Sequence, residues 1–446
     1  MLLSRIGSTG ACACVLVTLF SSAMFSTKVF STKVFSSEGF SAEVSTTANG
    51  TLPTFIQQVW AESPIVQGAL AEMDAAQARY EGAGRPVHNP SLELDAERTD
   101  ISTGSIGLSQ TLDWSDKQGS LANIAKQEQL TALAAWSEAR RSTALETLNA
   151  LVDFSTASEL QKLSQHRTTL LQSLVDAATQ RQAAGDVQAL DVTLAQVAYS
   201  EALMAQSSAE NGKIQANTTL QAVSGTMPSE HQTQWPVLPE NLAVAPLQKP
   251  LNAPATIEKL PQLAILRSRM NTAKARISLA KKAGRIDPTI GIRAGQEDSE
   301  TLLGLSLEIP LFVRNNFTAE ARAASAEAVV EAQRYREAYR RAKAELLGAQ
   351  ARHKNTSRAW QSWLSAGIQA QQEQMSLLDQ LWKAGELSVT DYLIQAKQNI
   401  DTREAAVRLM GEARRAHFAW LAASNQVESW LGLTQNDIET HSGVSK

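Results

Sequence analysis

Glu93, Asp95 and Glu97 occupy every second position of a short stretch, a spacing that sets three carboxylates on one face of a β-strand. Such a row beside a water-filled passage attracts cations, and the same row is also what the wetted inner wall of a barrel looks like. A second acidic pair, Asp186 and Glu386, follows two Ala-Gly steps, with Arg181 and Lys383 close enough in sequence to neutralise them. The remaining reactive side chains are dispersed. His88, His166, His231, His353, His417 and His441 form no pair at helical spacing, and Cys12 and Cys14 both fall in the N-terminal segment. The sequence contains no G-x-G-x-x-G, no P-loop and no G-x-S-x-G. The expectation is of neither an enzyme nor a cofactor or metal protein.

What positions the acidic row is a β-hairpin, residues 90–114, in which Leu92, Leu94 and Ala96 face away from the acids. A second hairpin, residues 288–312, repeats the pattern. Ile290, Ile292, Leu303, Leu305, Leu307 and Ile309 make one aliphatic face, while Gly291, Arg293, Gly304, Ser306 and Glu308 make the other. In a soluble sandwich the aliphatic face is core. In a membrane barrel it meets lipid, and Glu93, Asp95, Glu97, Arg293 and Glu308 line the lumen.

The hairpins lie roughly 200 residues apart, and a second echo follows at a similar offset: Ala184-Gly185-Asp186-Val187 against Ala384-Gly385-Glu386-Leu387. The chain is a tandem duplication. After each hairpin, residues 116–183 and 315–383 read as helices of roughly 100 Å each, with apolar residues at coiled-coil spacing. Each long helix stops at its Ala-Gly step, where glycine allows a left-handed terminus. Returning helices are expected over 187–223 and 388–431, the second opened by a Ser388/Asp391 capping box. The organisation is therefore 1–42 signal peptide and unstructured tract, 52–223 first repeat, 224–255 proline-rich linker, 256–433 second repeat and 434–446 tail.

Composition agrees with this layout. Across 446 residues, 41 basic and 45 acidic side chains give a formal charge of −4, which gives no reason to expect a nucleic-acid partner. The run from Ala11 to Phe20 has the length of a secretory h-region, and no later apolar run is long enough for a membrane helix. A membrane crossing is left to strands, and four strands cannot close a barrel. The chain must then share a barrel with copies of itself. Without insertion, the same helices would suit a secreted coiled-coil adaptor or scaffold.

Two repeats of hairpin, very long helix and Gly turn resemble the outer-membrane factor (TolC-like) family of bacterial efflux ducts, over about Leu52 to Leu433. Leu52-Pro53, Trp60, Asn89-Pro90, Leu305 to Phe312, Arg314-Asn315 and the Ala-Gly-Glu turn are most similar to the heavy-metal, CzcC-like branch. The resemblance implies a homotrimer, mainly α with a membrane β portion: a twelve-stranded barrel in outer-membrane lipid above a helical periplasmic tube. It implies a passive duct served by a periplasmic adaptor and an inner-membrane RND-type pump, carrying heavy-metal cations, with drug or solvent efflux or type I secretion as alternative cargoes. The turns at 184–187 and 384–387 would be the adaptor-docking tip.

Overall fold

The computed structural model describes residues 51–98, 100, 102–225, 235–244 and 253–433. The signal segment, the C-terminal tail and much of the proline-rich linker lie outside the described residues. Two helices lead in, α1 (Thr51–Glu62) and α2 (Pro64–Ala83), followed by β1 (Ser91–Arg98) and β2 (Ser102–Thr111). A single helix α3 (Lys117–Ala184) then runs 68 residues and turns into α4 (Ala189–Ser224). The second repeat restates this order: α5 (Ala253–Glu258), α6 (Pro261–Ala283), β3 (Thr289–Glu297), β4 (Glu300–Glu308), α7 (Thr318–Ser362), α8 (Ile368–Ala384) and α9 (Val389–Ala423), with α10 (Val427–Trp430) at the end. The lead-in is broken at the same place in both repeats, where Pro64 and Pro261 open a fresh helix from an extended residue.

The four strands form one antiparallel sheet in sequence order, β1-β2-β3-β4. The two hairpins join through β2 and β3, where Leu108 pairs with Ile292 and Gly107 with Arg293. β1 and β4 are left with open edges. Register keeps one face largely aliphatic and the other largely polar across all four strands, with Leu302 an exception on the polar face. One row runs Leu92, Leu108, Ile292, Leu305, and its neighbour on the other face runs Glu93, Gly107, Arg293, Gly304.

The helical core is concentrated where both repeats meet. Leu52, Ile56 and Trp60 of α1 pack with Leu148 and Leu151 of α3 and with Phe418 and Trp420 of α9. The described part of the linker joins this core: Trp235 stacks edge-on against Phe55 and Phe154 and donates from Nε1 to Asn217 Oδ1 at 2.9 Å. Leu238 and Leu242 are buried beside it. A second cluster closes the far end, uniting Leu171, Leu174, Val192, Leu378, Trp382 and Tyr392.

Several sequence expectations need correction. Strand β4 ends at Glu308, so Ile309 lies beyond the ladder; Pro310, which has no N–H to donate, stops the pairing. The polar break expected over Asp298–Thr301 is a loop of only Asp298-Ser299, because Asp298 takes a left-handed conformation (φ 54°) that lets Glu297 pair with Glu300. The second long helix carries a π-helical turn, Trp363–Gly367, between α7 and α8. A Cβ on Gly367 would collide with the Trp363 ring, so glycine is what lets the indole lie against the helix there. The last returning helix stops at Ala423 rather than Leu431, where Asn425 turns left-handed (φ 56°).

Candidate channel wall and tip

The wall is built on the sheet. Its aliphatic face is unburied: Leu303 and Leu305 are 80% and 85% exposed, and Leu92, Leu94, Ile106, Ile290, Ile292 and Leu307 are exposed with them. Monomeric water-soluble proteins rarely leave a contiguous face of eight aliphatic side chains uncovered. On the opposite face, Glu93, Asp95, Glu97, Arg293 and Glu308 stand together as expected, and register adds Glu297 and Glu300 in the Glu97 row. Ser109 Oγ donates to Glu93 Oε1 at 2.8 Å, and Ser105 Oγ approaches Asp95 at 3.4 Å. Arg293 lies along the wall. A Cβ on its cross-strand neighbour Gly304 would come within 2.7 Å of the Arg293 Nε.

The sheet is clamped to the helices by Asp287, just before β3. Its Oδ1 accepts from Ser115 N at 2.9 Å and Ser115 Oγ at 2.8 Å, and its Oδ2 meets Lys117 Nζ at 2.7 Å. Burial works against its ionisation, but Lys117 and Ser115 outweigh that and hold the carboxyl below the usual range. Asp113 caps α3 beside it, accepting from Lys117 N and Gln118 N at 2.7 Å each.

At the tip, both Ala-Gly steps form the same structure. Gly185 (φ 88°) and Gly385 (φ 79°) are left-handed, and the N–H groups of Asp186 and Glu386 reach back to Arg181 O (2.9 Å) and Leu381 O (3.0 Å). With the Gly185 and Gly385 N–H groups on Gln182 O and Trp382 O, this is a Schellman terminus in each repeat. The Ser388 hydroxyl accepts from Asp391 N at 3.1 Å as an N-cap, and it donates to the Asp391 carboxylate at 2.7 Å in place of the backbone N–H that a full capping box would use. Around the turns, Ala184, Gly185, Asp186, Ala384, Gly385 and Glu386 are exposed, while Val187 and Leu387 are half-buried against the tip cluster.

The expected tip charge pairs do not form within the protomer. Among the described residues, none of Asp186, Lys383 and Glu386 makes an ion pair within 4.0 Å. Arg181 is engaged elsewhere. Its guanidinium sits 4.2 Å above the Trp382 ring and donates from Nη2 to Trp382 O at 2.8 Å. A flat indole and a helix-terminal carbonyl with room for a second donor offer the guanidinium two interactions at once, and it bridges the two repeats. Trp382 in turn packs on Tyr392, whose hydroxyl donates to Asp379 Oδ1 at 3.1 Å; burial and that carboxylate push the phenol's pKa up.

Two histidines that the sequence left scattered are brought together. His353 and His417 pack ring to ring, with centroids 5.0 Å apart. Among the described residues, no group of three or more His, Cys, Asp or Glu could hold a metal ion. Among the described residues, no helix is long and apolar enough to cross a membrane.

The described chain thus sets a half-amphipathic four-stranded sheet with open edges at the end of paired long helices. Residues 55–226 match the family model described as "Outer membrane efflux protein". The fold resembles the outer-membrane protein VceC of Vibrio cholerae, at 16% identity over 84% of this chain and 95% of that one, TM-score 0.69. It also resembles the CmeC outer-membrane channel of Campylobacter jejuni, at 13% identity over 88% and 89%, TM-score 0.73. CusC, reported with conformational changes accompanying transmembrane channel formation, aligns at 16% identity over 84% and 92%, TM-score 0.69. No curated protein sequence matches. The family match thus lies across the first repeat, and the fold around it is shared with solved outer-membrane channels.

Proposed function

We propose that the protein is the passive exit duct of a tripartite efflux system. Three copies close a twelve-stranded barrel in the bacterial outer membrane, and the helices α3, α4, α7, α8 and α9 continue it into the periplasm. The observation that carries this reading is the sheet, with its exposed aliphatic face, acidic opposite face and two unpaired edges. Lipid satisfies the first, water the second, and neighbouring copies the third. An inner-membrane RND-type pump supplies the energy, and a periplasmic adaptor docks on the turns at 184–187 and 384–387. Heavy-metal cations are the proposed cargo. The support is the balance of the lumen face, where Glu93, Asp95, Glu97, Glu297, Glu300 and Glu308 face one cation, Arg293.

The test is a deletion strain complemented with the wild-type gene or with Gly385→Ala. Deletion should raise intracellular divalent metal and lower metal tolerance, leaving drug tolerance unchanged. The reverse pattern would reassign the cargo. Gly385→Ala strains the left-handed turn by about 1 kcal/mol, too little to stop assembly. Loss of adaptor cross-linking in assembled Gly385→Ala trimers supports docking at the turn, and unchanged cross-linking refutes it.

A further inference from the structure

The two open edges of the sheet carry the same sign of charge on their polar face. On β1 that face presents Glu93, Asp95 and Glu97 in succession. On β4 it presents Glu300 and Glu308 at the two ends, with Leu302, Gly304 and Ser306 between them. Among the described residues of this face, Arg293 of β3 carries the one positive charge.

Arg293 is flanked in its row by two glycines, Gly107 of β2 and Gly304 of β4. Its side chain takes the β4 side. A Cβ on residue 304 would stand 2.9 Å from Arg293 Cγ, 3.4 Å from Cδ and 2.7 Å from Nε, so the stem lies over the β4 backbone. A Cβ on residue 107 would find no Arg293 atom nearer than Cβ, at 3.5 Å. Glu93, beyond Gly107, accepts instead from Ser109 Oγ at 2.8 Å. The guanidinium has thus been carried away from the acids of its own β1, to the last strand before the open edge.

We infer that Arg293 is a latch between copies, reaching across Gly304 to the acidic row of the next copy's β1. The inference rests on the proposed three-copy barrel and adds which charges hold each seam together. Joining β4 to another β1 sets Glu93, Asp95 and Glu97 of one copy beside Glu300 and Glu308 of the other, and like charges on adjacent strands repel. Neighbouring strands lie about 4.8 Å apart, so a guanidinium over β4 is one strand away from the incoming carboxylates. Its planar fork of donors suits a carboxylate partner. Glycine at 304 leaves the crossing open, and a side chain there would close it.

The readout is the temperature at which half of the trimer separates, measured on gels with full-length protein purified in mild detergent. Arg293→Glu should lower it. Gly304→Ala, which leaves every charge in place, should lower it too. The partner is then found with Glu93→Arg, Asp95→Arg and Glu97→Arg, each co-expressed in equal amount with a differently tagged Arg293→Glu chain. For at least one of the three, mixed trimers should exceed the roughly three in four that random joining gives, because the two changes complement each other only across a seam. A variant that forms no trimers alone is still read by this mixing. Random mixing with all three swaps, or wild-type trimers whose stability Arg293→Glu leaves unchanged, would refute the latch alone. Absence of trimers from the wild-type chain would instead refute the shared barrel.

Discussion

Arg140 shows how one side chain can be indispensable without its ion pair being stabilising. Its guanidinium lies between the Trp60 and Trp136 rings, 4.2 and 4.9 Å from their centroids, and Trp60 Nε1 donates to Arg140 O at 2.9 Å. Its carboxylate partner Glu428 still has a raised pKa, because burial outweighs the attraction of Arg140. Removing the cation alone leaves a buried carboxylate and two unfilled aromatic faces. Arg140→Ala should destabilise by about 3–5 kcal/mol; Glu428→Gln, which removes a charge that burial already disfavours, should change stability by less than about 1 kcal/mol. Thermal unfolding of the two variants distinguishes these outcomes. At the tip, Arg181→Ala removes the contact to Trp382 that joins the repeats, and planar-bilayer recordings should show larger or more frequent openings. Neither arrangement could be found by reading along the chain. Glu428 and Trp382 each come from the other repeat, and proximity in sequence had suggested Asp186 for Arg181 instead.

At the scale of elements, period was highly legible and termination less so. The alternation of aliphatic and polar residues placed all four strands and the face of nearly every member, because a strand exposes its pattern directly. Glycine at 185 and 385 likewise marked both helix ends. The errors arose where one residue overrode a pattern: Pro310 cut β4 short of Ile309, and Trp363 with Gly367 introduced a π turn into an otherwise helical run. The two faces of β4 give a sharp test. Leu305→Arg puts a cation on the aliphatic face, where at a bilayer midplane it costs about 2–4 kcal/mol. Ser306→Arg, next in sequence, enters the polar face opposite Gly291. Heat-modifiable trimer bands on gels should disappear for the first and persist for the second. Equal loss in both would mean that the sheet is buried on both sides.

For the whole molecule, the open edges of β1 and β4 carry the strongest prediction. Cysteines placed on outward ends of β1 and β4 should form disulfides between chains, and oxidation should yield covalent trimers from whole cells. Cysteines at Asp100 and Ser299 should react with impermeant maleimide in intact cells, and a cysteine at Gln188 only after permeabilisation. The need for partners was readable from the sequence, since four strands leave unpaired backbone groups in lipid. In the proposed trimer the groups that satisfy them belong to other copies of the chain, which is why no motif announces them.

In the proposed trimer β1 and β4 are different edges, so each copy is joined head to tail and the ring is complete only when every seam is made. A copy with a sound β1 edge and a ruined β4 edge can still join, but it ends the ring. Such an allele is a poison rather than a blank. In a cell making equal amounts of intact and damaged chains, only about one assembly in eight would be free of the damaged form. Inheritance of a β4-edge lesion should therefore be dominant, whereas loss of the whole gene should be recessive.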